Sequence, residues 1–204
     1  MARYTGPQVK VSRRFGINVF ENEKGERGIE RKPYPPGQHG RGRRRQPSEY
    51  SNQLAEKQKA KYIYGLLEKQ FANLYELAHQ QKGITGENLL IMLELRLDNV
   101  VFRSGFARTR PQARQLVTHG HVLVNGKRAS IPSMRVRKGD VVEMAPAARK
   151  MIIVQHNVDT LDRIPPMWLD VAKDECKAVV RDLPLREQID VPVRESLIVE
   201  LYSK

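Results

Sequence analysis

The sequence predicts an α+β protein: an extended basic N-terminal arm, a small helical domain, and an inserted helix-helix-β-hairpin module that carries an antiparallel sheet. Three observations predict it. Positive charge gathers in two blocks, residues 1–47 at a net of +8 and residues 96–144 at +7, while 48–95 and 145–204 each come to −1. Helical patterning broken by single glycines fills residues 48–93, and helices joined by short loops build a helical domain. Asn125-Gly126 lies between two short β-type runs, the strongest short-range hairpin signal in a sequence.

Bulk figures bound what such a chain can be. Its 204 residues suffice for one large or two small domains that fold without staples. A formal net charge of +13 points to nucleic acid or an anionic membrane as partner. No apolar run approaches the roughly 20 residues of a membrane span, so no membrane partner is expected. The basic start, MARYTGPQVK, lacks the apolar stretch of a secretory signal. A single cysteine, Cys176, excludes a disulfide framework and any cysteine-rich zinc site, which makes a reducing cytoplasm the expected compartment.

Residues 1–47 are rich in breakers (Gly6-Pro7, Gly25, Gly28, Pro35-Pro36-Gly37) and show no sustained period, which predicts an extended arm that orders on a partner. Phe15, Ile17, Val19, Phe20 and Tyr34 are too apolar for a solubility tail alone. Arg41, Arg43, Arg44 and Arg45, interleaved with glycine, let backbone and guanidinium approach phosphates closely.

The helical domain spans 48–93 and can be completed by the C-terminal tail. Ser48 caps a first helix over 49–64, Gly65 breaks it, and a second over 66–80 carries Leu67, Phe71, Leu74 and Ala78 on one stripe. Gln53, Lys57 and Lys61 share a face of the first helix, either plainly solvated or a ligand face. A third helix follows Thr85-Gly86, with Leu89, Leu90, Leu93, Leu97 and Val100 inward.

The module spans 94–158. Leu93, Leu97, Val100 and Val101 form the buried side of a helix stopped by Gly105, with Arg96 and Arg103 together on another face. Thr109-Arg110-Pro111-Gln112 is a capping box that opens the next helix, whose Arg110, Arg114 and Thr118 form an outward row. Strands follow over His121–Val124 and Lys127–Ser130, then Val141–Met144 after the Lys138-Gly139-Asp140 turn. Lys127 and Arg128, just past the hairpin tip, are expected to line one groove with the arginine row. Residues 159–204 read as a segment packing on both domains. Met151–Val154 reads as a strand, Trp168 as core, and Leu197–Leu201 as a final strand or packed tail.

Signs of catalysis are scarce. There is no Gly-rich phosphate loop, Cys176 has no evident base, and the five histidines are scattered. His119 and His121 flank Gly120 at a helix-to-strand turn, which suits a phosphate contact better than a metal. A non-catalytic protein without cofactor or metal is expected.

Several stretches, in order, resemble the bacterial-type family of ribosomal small-subunit protein four (the S-four family). They include Pro35-Pro36-Gly37-Gln38-His39-Gly40, Ser48-Glu49-Tyr50, Thr85-Gly86-Glu87-Asn88-Leu89-Leu90 and Arg96-Leu97-Asp98-Asn99-Val100-Val101. His119-Gly120-His121, Val124-Asn125-Gly126 and the ending Leu197-Ile198-Val199-Glu200-Leu201-Tyr202-Ser203-Lys204 continue the match. The segment from 94 resembles the RNA-binding module named after that family. Many family members hold zinc with four cysteines in the arm; residues 1–47 contain none, so the chain resembles the zinc-free branch.

The resemblance implies a primary binder of small-subunit ribosomal RNA (rRNA) that assembles early at a helix junction in the 5′ domain. It also implies a neighbour in ribosomal protein five, an influence on translational accuracy, and proximity to messenger RNA (mRNA) near the channel by which it enters. On this reading Arg108, Arg110, Arg114, Lys127 and Arg128 grip one RNA surface, with His119, and with Arg96 and Arg103 if their faces turn outward. Arg41, Arg43, Arg44 and Arg45 grip a second, and Tyr50, Gln53, Lys57 and Lys61 bridge the two. The rival readings are an RNA-modifying enzyme with an appended module, for which too little chain remains, and a free-standing RNA chaperone or stalled-ribosome factor carrying the module.

Overall fold

The computed structural model describes residues 4–42, 46–161 and 163–203, so the expected contacts Arg43, Arg44 and Arg45 lie outside the described residues. The chain divides into two compact units, Met1–Gly86 with Pro192–Lys204, and Glu87–Val191.

In the first unit the arm is not extended throughout: it holds helices α1 (Gln8–Phe15) and α2 (Glu23–Arg31). The glycines that read as breakers are sites of close approach. Gly28 lies so near Val9 that a Cβ there would collide with it, and Gly25 N–H donates to the α2 cap, Asn22, at 2.6 Å. The apolar residues of the arm find a partner within the chain. Tyr4, Phe15 and Phe20 surround Tyr62, with ring centroids 4.9, 6.3 and 6.2 Å away.

Helix α3 (Glu49–Ile63) begins where expected, with Ser48 Oγ accepting from Ser51 N–H, and after the Gly65 break α4 (Glu68–Gln80) buries Phe71, Tyr75 and Ala78. The tail forms a helix rather than a strand: α10 (Glu195–Tyr202) packs on α3, with Ile198 fully buried and Tyr202 stacked on Tyr75 at 4.3 Å. It thereby completes the helical unit.

In the second unit, the helix expected to run through Leu97 is interrupted. α5 (Thr85–Glu94) ends and α6 (Leu97–Arg103) starts anew, because the chain turns at Leu95 and Arg96 is extended and bridges to the loop ahead of the third strand. Val136 N–H donates to Leu95 C=O and Leu97 N–H to Met134 C=O, at 2.9 and 2.8 Å. Tertiary pairing here outweighs helical continuity. α7 (Arg110–Thr118) follows, with Thr109 Oγ1 accepting from Gln112 N–H at 3.4 Å; Gln112 reaches back to Arg108 N–H at 2.6 Å, one residue earlier than a regular box.

The hairpin pairs β1 (Val122–Val124) with β2 (Lys127–Ala129), Val124 opposite Lys127. Asn125 and Gly126 take φ of 50° and 75°, the left-handed pair that a two-residue turn needs and that Asn-Gly tolerates. β3 (Val141–Met144) is present as expected. Met151–Val154, expected as a strand, instead opens helix α9 (Ile152–Thr160), after the short α8 (Pro146–Arg149); a four-residue apolar run does not separate strand from helix by period.

Two further strands, β4 (Leu169–Ala172) and β5 (Lys177–Val180), were not foreseen. They extend the module's sheet to five antiparallel strands in the order β2-β1-β3-β5-β4, with Val142 opposite Ala178. Against this sheet Leu97, Val101, Phe102, Val117 and Trp168 form one buried cluster with Val122, Val142 and Val180.

Candidate nucleic-acid interface

The arginines of α6 and α7 turn inward, which corrects the outward row. Arg96 is buried and holds Asp98 with two hydrogen bonds, Nε to Oδ1 at 3.1 Å and Nη2 to Oδ2 at 2.8 Å. Arg103 holds Glu94 the same way, at 3.0 and 2.9 Å; the carboxylate is only 1 % exposed. Arg110 donates from Nε to Asn99 Oδ1 at 3.0 Å and lies 4.3 Å over the Phe102 ring. Arg114 reaches Asp98 at 3.4 Å. Such fork-to-carboxylate pairs fix geometry as well as charge. The faces of Arg96 and Arg103 are therefore not free surfaces for RNA: Arg103 ties α6 to α5, Arg110 and Arg114 tie α7 to α6, and Arg96 fixes the start of α6.

Arg163, not foreseen as important, lies over the same Phe102 ring, 3.8 Å from its centroid. Its guanidinium donates to the carbonyls of Phe102 at 2.7 Å, Ala107 at 3.2 Å and Arg108 at 3.3 Å. The turn that carries Arg108 is thus held from the segment after α9. Nothing in the local pattern around Arg163 signals this, since its partners are backbone groups more than 50 positions earlier.

The exposed cations lie on the hairpin and beyond it. Lys127 and Arg128 are exposed on β2, and Arg108 is exposed on the α6–α7 turn. Arg128 Nη2 donates to His119 C=O at 3.0 Å, and its guanidinium fills the space where a Cβ on Gly120 would stand, which only glycine leaves open. His119 itself is exposed. Arg135 and Arg137, missed as individual contacts although their charge was counted, are exposed on the β2–β3 loop. Lys138 beside them pairs with Asp182 at 3.0 Å, and that hydrogen bond holds the Asp182 carboxyl below its ordinary range.

In the first unit the Gln53, Lys57 and Lys61 face is neither solvated nor open. Gln53 is fully buried and donates to Glu200 at 3.0 Å and Glu49 at 3.3 Å. Lys57 and Lys61 both hold Glu68, which also accepts from the Tyr202 hydroxyl at 3.4 Å. Partial burial pushes the Glu68 carboxyl up, and the two ammonium groups more than offset it, leaving it below the usual carboxylate range. Burial first, and Glu68 second, push the Tyr202 phenol well above its ordinary value. Tyr50, by contrast, is exposed. In the arm, Arg41 is exposed, donates to Tyr34 Oη at 3.0 Å and lies 4.7 Å over that ring; its hydrogen bond holds the phenol below its ordinary value.

Among the described residues no helix is long and apolar enough to cross a membrane, and no group of three or more His, Cys, Asp or Glu could hold a metal ion.

Two family models match the chain in succession: the ribosomal protein S4/S9 N-terminal domain over residues 3–94 and the S4 domain over residues 95–142. The chain is 53 % identical over 205 residues to small ribosomal subunit protein uS4 of Corynebacterium ammoniagenes, covering all of both sequences. It is 53 % identical over 206 residues to that of a Nocardioides species and 52 % over 204 to that of Salinibacter ruber, again with full coverage of each. With the α5-α6-α7 and hairpin unit in place and identity sustained from end to end, the chain belongs to the family of small ribosomal subunit protein uS4.

Proposed function

We propose that this chain binds small-subunit rRNA directly and grips it by electrostatic docking and shape. Membership of the uS4 family makes it a structural constituent of the small ribosomal subunit, not an enzyme, with the cytoplasmic ribosome as its location. The observation that carries the RNA reading is the contrast within the second unit. Inward arginines are neutralised by Glu94 and Asp98, whereas Lys127, Arg128, Arg135 and Arg137 stand exposed on one hairpin and its following loop. Structured RNA offers phosphates and 2′-hydroxyls more readily than base edges, and a rigid frame with cations at its rim fits that offer.

In this reading Arg108, Lys127, Arg128 and His119 touch RNA, with Arg41, Arg43, Arg44 and Arg45 of the arm forming a second grip and Tyr50 exposed in the helical unit. Arg96, Arg103, Arg110 and Arg114 act as positioning groups, and so do Gln53, Lys57 and Lys61. The family resemblance supports the finer statements: early assembly at a 5′-domain helix junction, ribosomal protein five as neighbour, mRNA near its channel, and an influence on accuracy. The domain division proposed is arm 1–47, helical domain 48–93, module 94–158 and C-terminal segment 159–204, with the last shared between both units.

Footprinting on naked small-subunit rRNA tests the proposal. Protection confined to a multi-helix junction is expected, with log affinity falling against log salt at a slope of about −6 to −7 for about eight neutralised phosphates. An affinity that does not respond to salt overturns it.

A further inference from the structure

Beside the cationic hairpin lies a hollow whose chemistry differs from everything around it. It measures about 160 Å³ and is lined by Gln112, Gln115, His119, His121, Met151 and Ile153, over Leu116. Among the described residues no Lys, Arg, Asp or Glu lines it. Its walls are two imidazoles, two carboxamides and apolar side chains. The imidazoles stand with centroids 6.0 Å apart and planes inclined at 57°, so they form a splayed pair rather than a closed stack.

The hollow is also preorganised. One wall is the helix-to-strand turn after α7, pinned by the Arg128 bond to His119 C=O and by Ala145 N–H donating to His121 C=O at 2.8 Å. The opposite wall is the start of α9, where Ile152 is 84 % and Ile153 52 % exposed. Gln112 uses its amide oxygen on Arg108 N–H, which leaves the NH2 half of that amide to donate to a guest. Cations stand at the rim: Arg128 on one side and Lys150, exposed, immediately before Met151 on the other.

A partly aromatic hollow with amide groups for an edge and cations at the rim is the complement of a nucleotide. Its planar base is apolar on its faces and polar on its edge, and its phosphate is anionic. We infer that this hollow receives a single unstacked nucleobase of small-subunit rRNA, stacked on the His119 ring with its edge toward the Gln112 and Gln115 amides and its phosphate toward Arg128. The inference rests on the RNA-binding reading above and deepens it. It assigns His119 a ring contact with a base in place of the phosphate contact expected from the turn. Stacking is tolerant of base identity and does not release counterions, so its signature differs from that of a phosphate contact.

The test is filter binding of the full chain to a small-subunit rRNA transcript across a salt series. His119→Ala, at an exposed side chain, should leave thermal stability unchanged and weaken binding by about 5- to 100-fold at every salt concentration, with the slope unaltered. His119→Phe, which keeps a ring but no nitrogen, should restore most of that loss. Unchanged affinity for His119→Ala overturns the inference. So does a loss accompanied by a flatter slope that His119→Phe fails to restore, since that is the behaviour of a phosphate contact. Lys127→Ala with Arg137→Ala separates the two readings. If that pair leaves affinity and slope untouched, the RNA-gripping hairpin fails, whatever His119 does.

Discussion

The inner arginines and the hairpin cations sit within some thirty residues of one another, and they do opposite work. Arg103 is matched to a carboxylate on the preceding helix and Arg96 to one two residues further on, so their charge is consumed within the frame. Lys127 and Arg128 lie on a short strand whose cross-strand partners are not acids: Val124 faces Lys127 and Leu123 faces Arg128 across the hairpin. Count of positive charge therefore does not define an interface. What defines it is whether the backbone brings an acid within reach. The lysines of α3 make the same point in the first unit, where Glu68 captures both.

The sharpest way to break this comparison is Arg103→Ala. It leaves Glu94 buried without its bidentate partner, and an unfolding titration in urea should show a loss of about 3–5 kcal/mol. A loss below about 1 kcal/mol would put Arg103 among the surface cations instead. Next in size is Gly126→Ala, which forces a side chain into the left-handed turn at φ 75°. It should destabilise by about 1–2 kcal/mol in the same titration, and an unchanged midpoint would mean that the turn re-forms in another geometry.

Lys127→Ala with Arg137→Ala should move stability by no more than about 0.5 kcal/mol. Its effect should appear in RNA binding, as a salt slope flatter by about 1.4–1.8 for two lost phosphate contacts. A stability loss as large as that of Arg103→Ala would erase the distinction between the two groups.

The smallest effect concerns pH. The Glu68 carboxyl sits below its ordinary value of 4.5, so the unfolded state binds the proton more readily. The stability it contributes is complete above that ordinary value and is lost as pH falls through the lowered one. Glu68→Gln should flatten that part of an acid-unfolding curve followed by circular dichroism; a curve that superimposes on the parent's removes Glu68 from the account.

Much of the fold was legible residue by residue. Ser48 as a cap, the break at Gly65, the Asn125-Gly126 turn and the Thr109 cap are local signals, each with a mechanism that acts within four residues, and each stands where it was read. The misses share a different cause. α6 is separated from α5 by Leu95 and Arg96 because that pair bonds to residues 134–136, a partner some 40 positions away. β4 and β5 form because β3 offers an edge, and α1 and α2 form because Val9, Gly28 and Tyr62 bring them together.

The candidate site divides in the same way. Charge density, the hairpin and the histidine pair could be read from the chain, while the orientation of Arg96, Arg103, Arg110 and Arg114 could not. A helical wheel places a side chain on a face but does not say what packs against that face. Arg163 is the clearest case, since all three of its carbonyl partners become neighbours only when the segment after α9 returns to the α6–α7 turn.

By itself the sequence determined the α+β class, the family, the polyanion as partner and the place of the hairpin, because composition, periodicity and turn chemistry are local or additive. Only the tertiary structure decided which cations are paired inside the frame and which stand exposed. It alone assembled the hollow beside His119, whose walls come from α7, the turn after it and the start of α9. The physical reason is that burial and ion pairing depend on distances between residues far apart in the chain, and those distances exist only once the chain has folded.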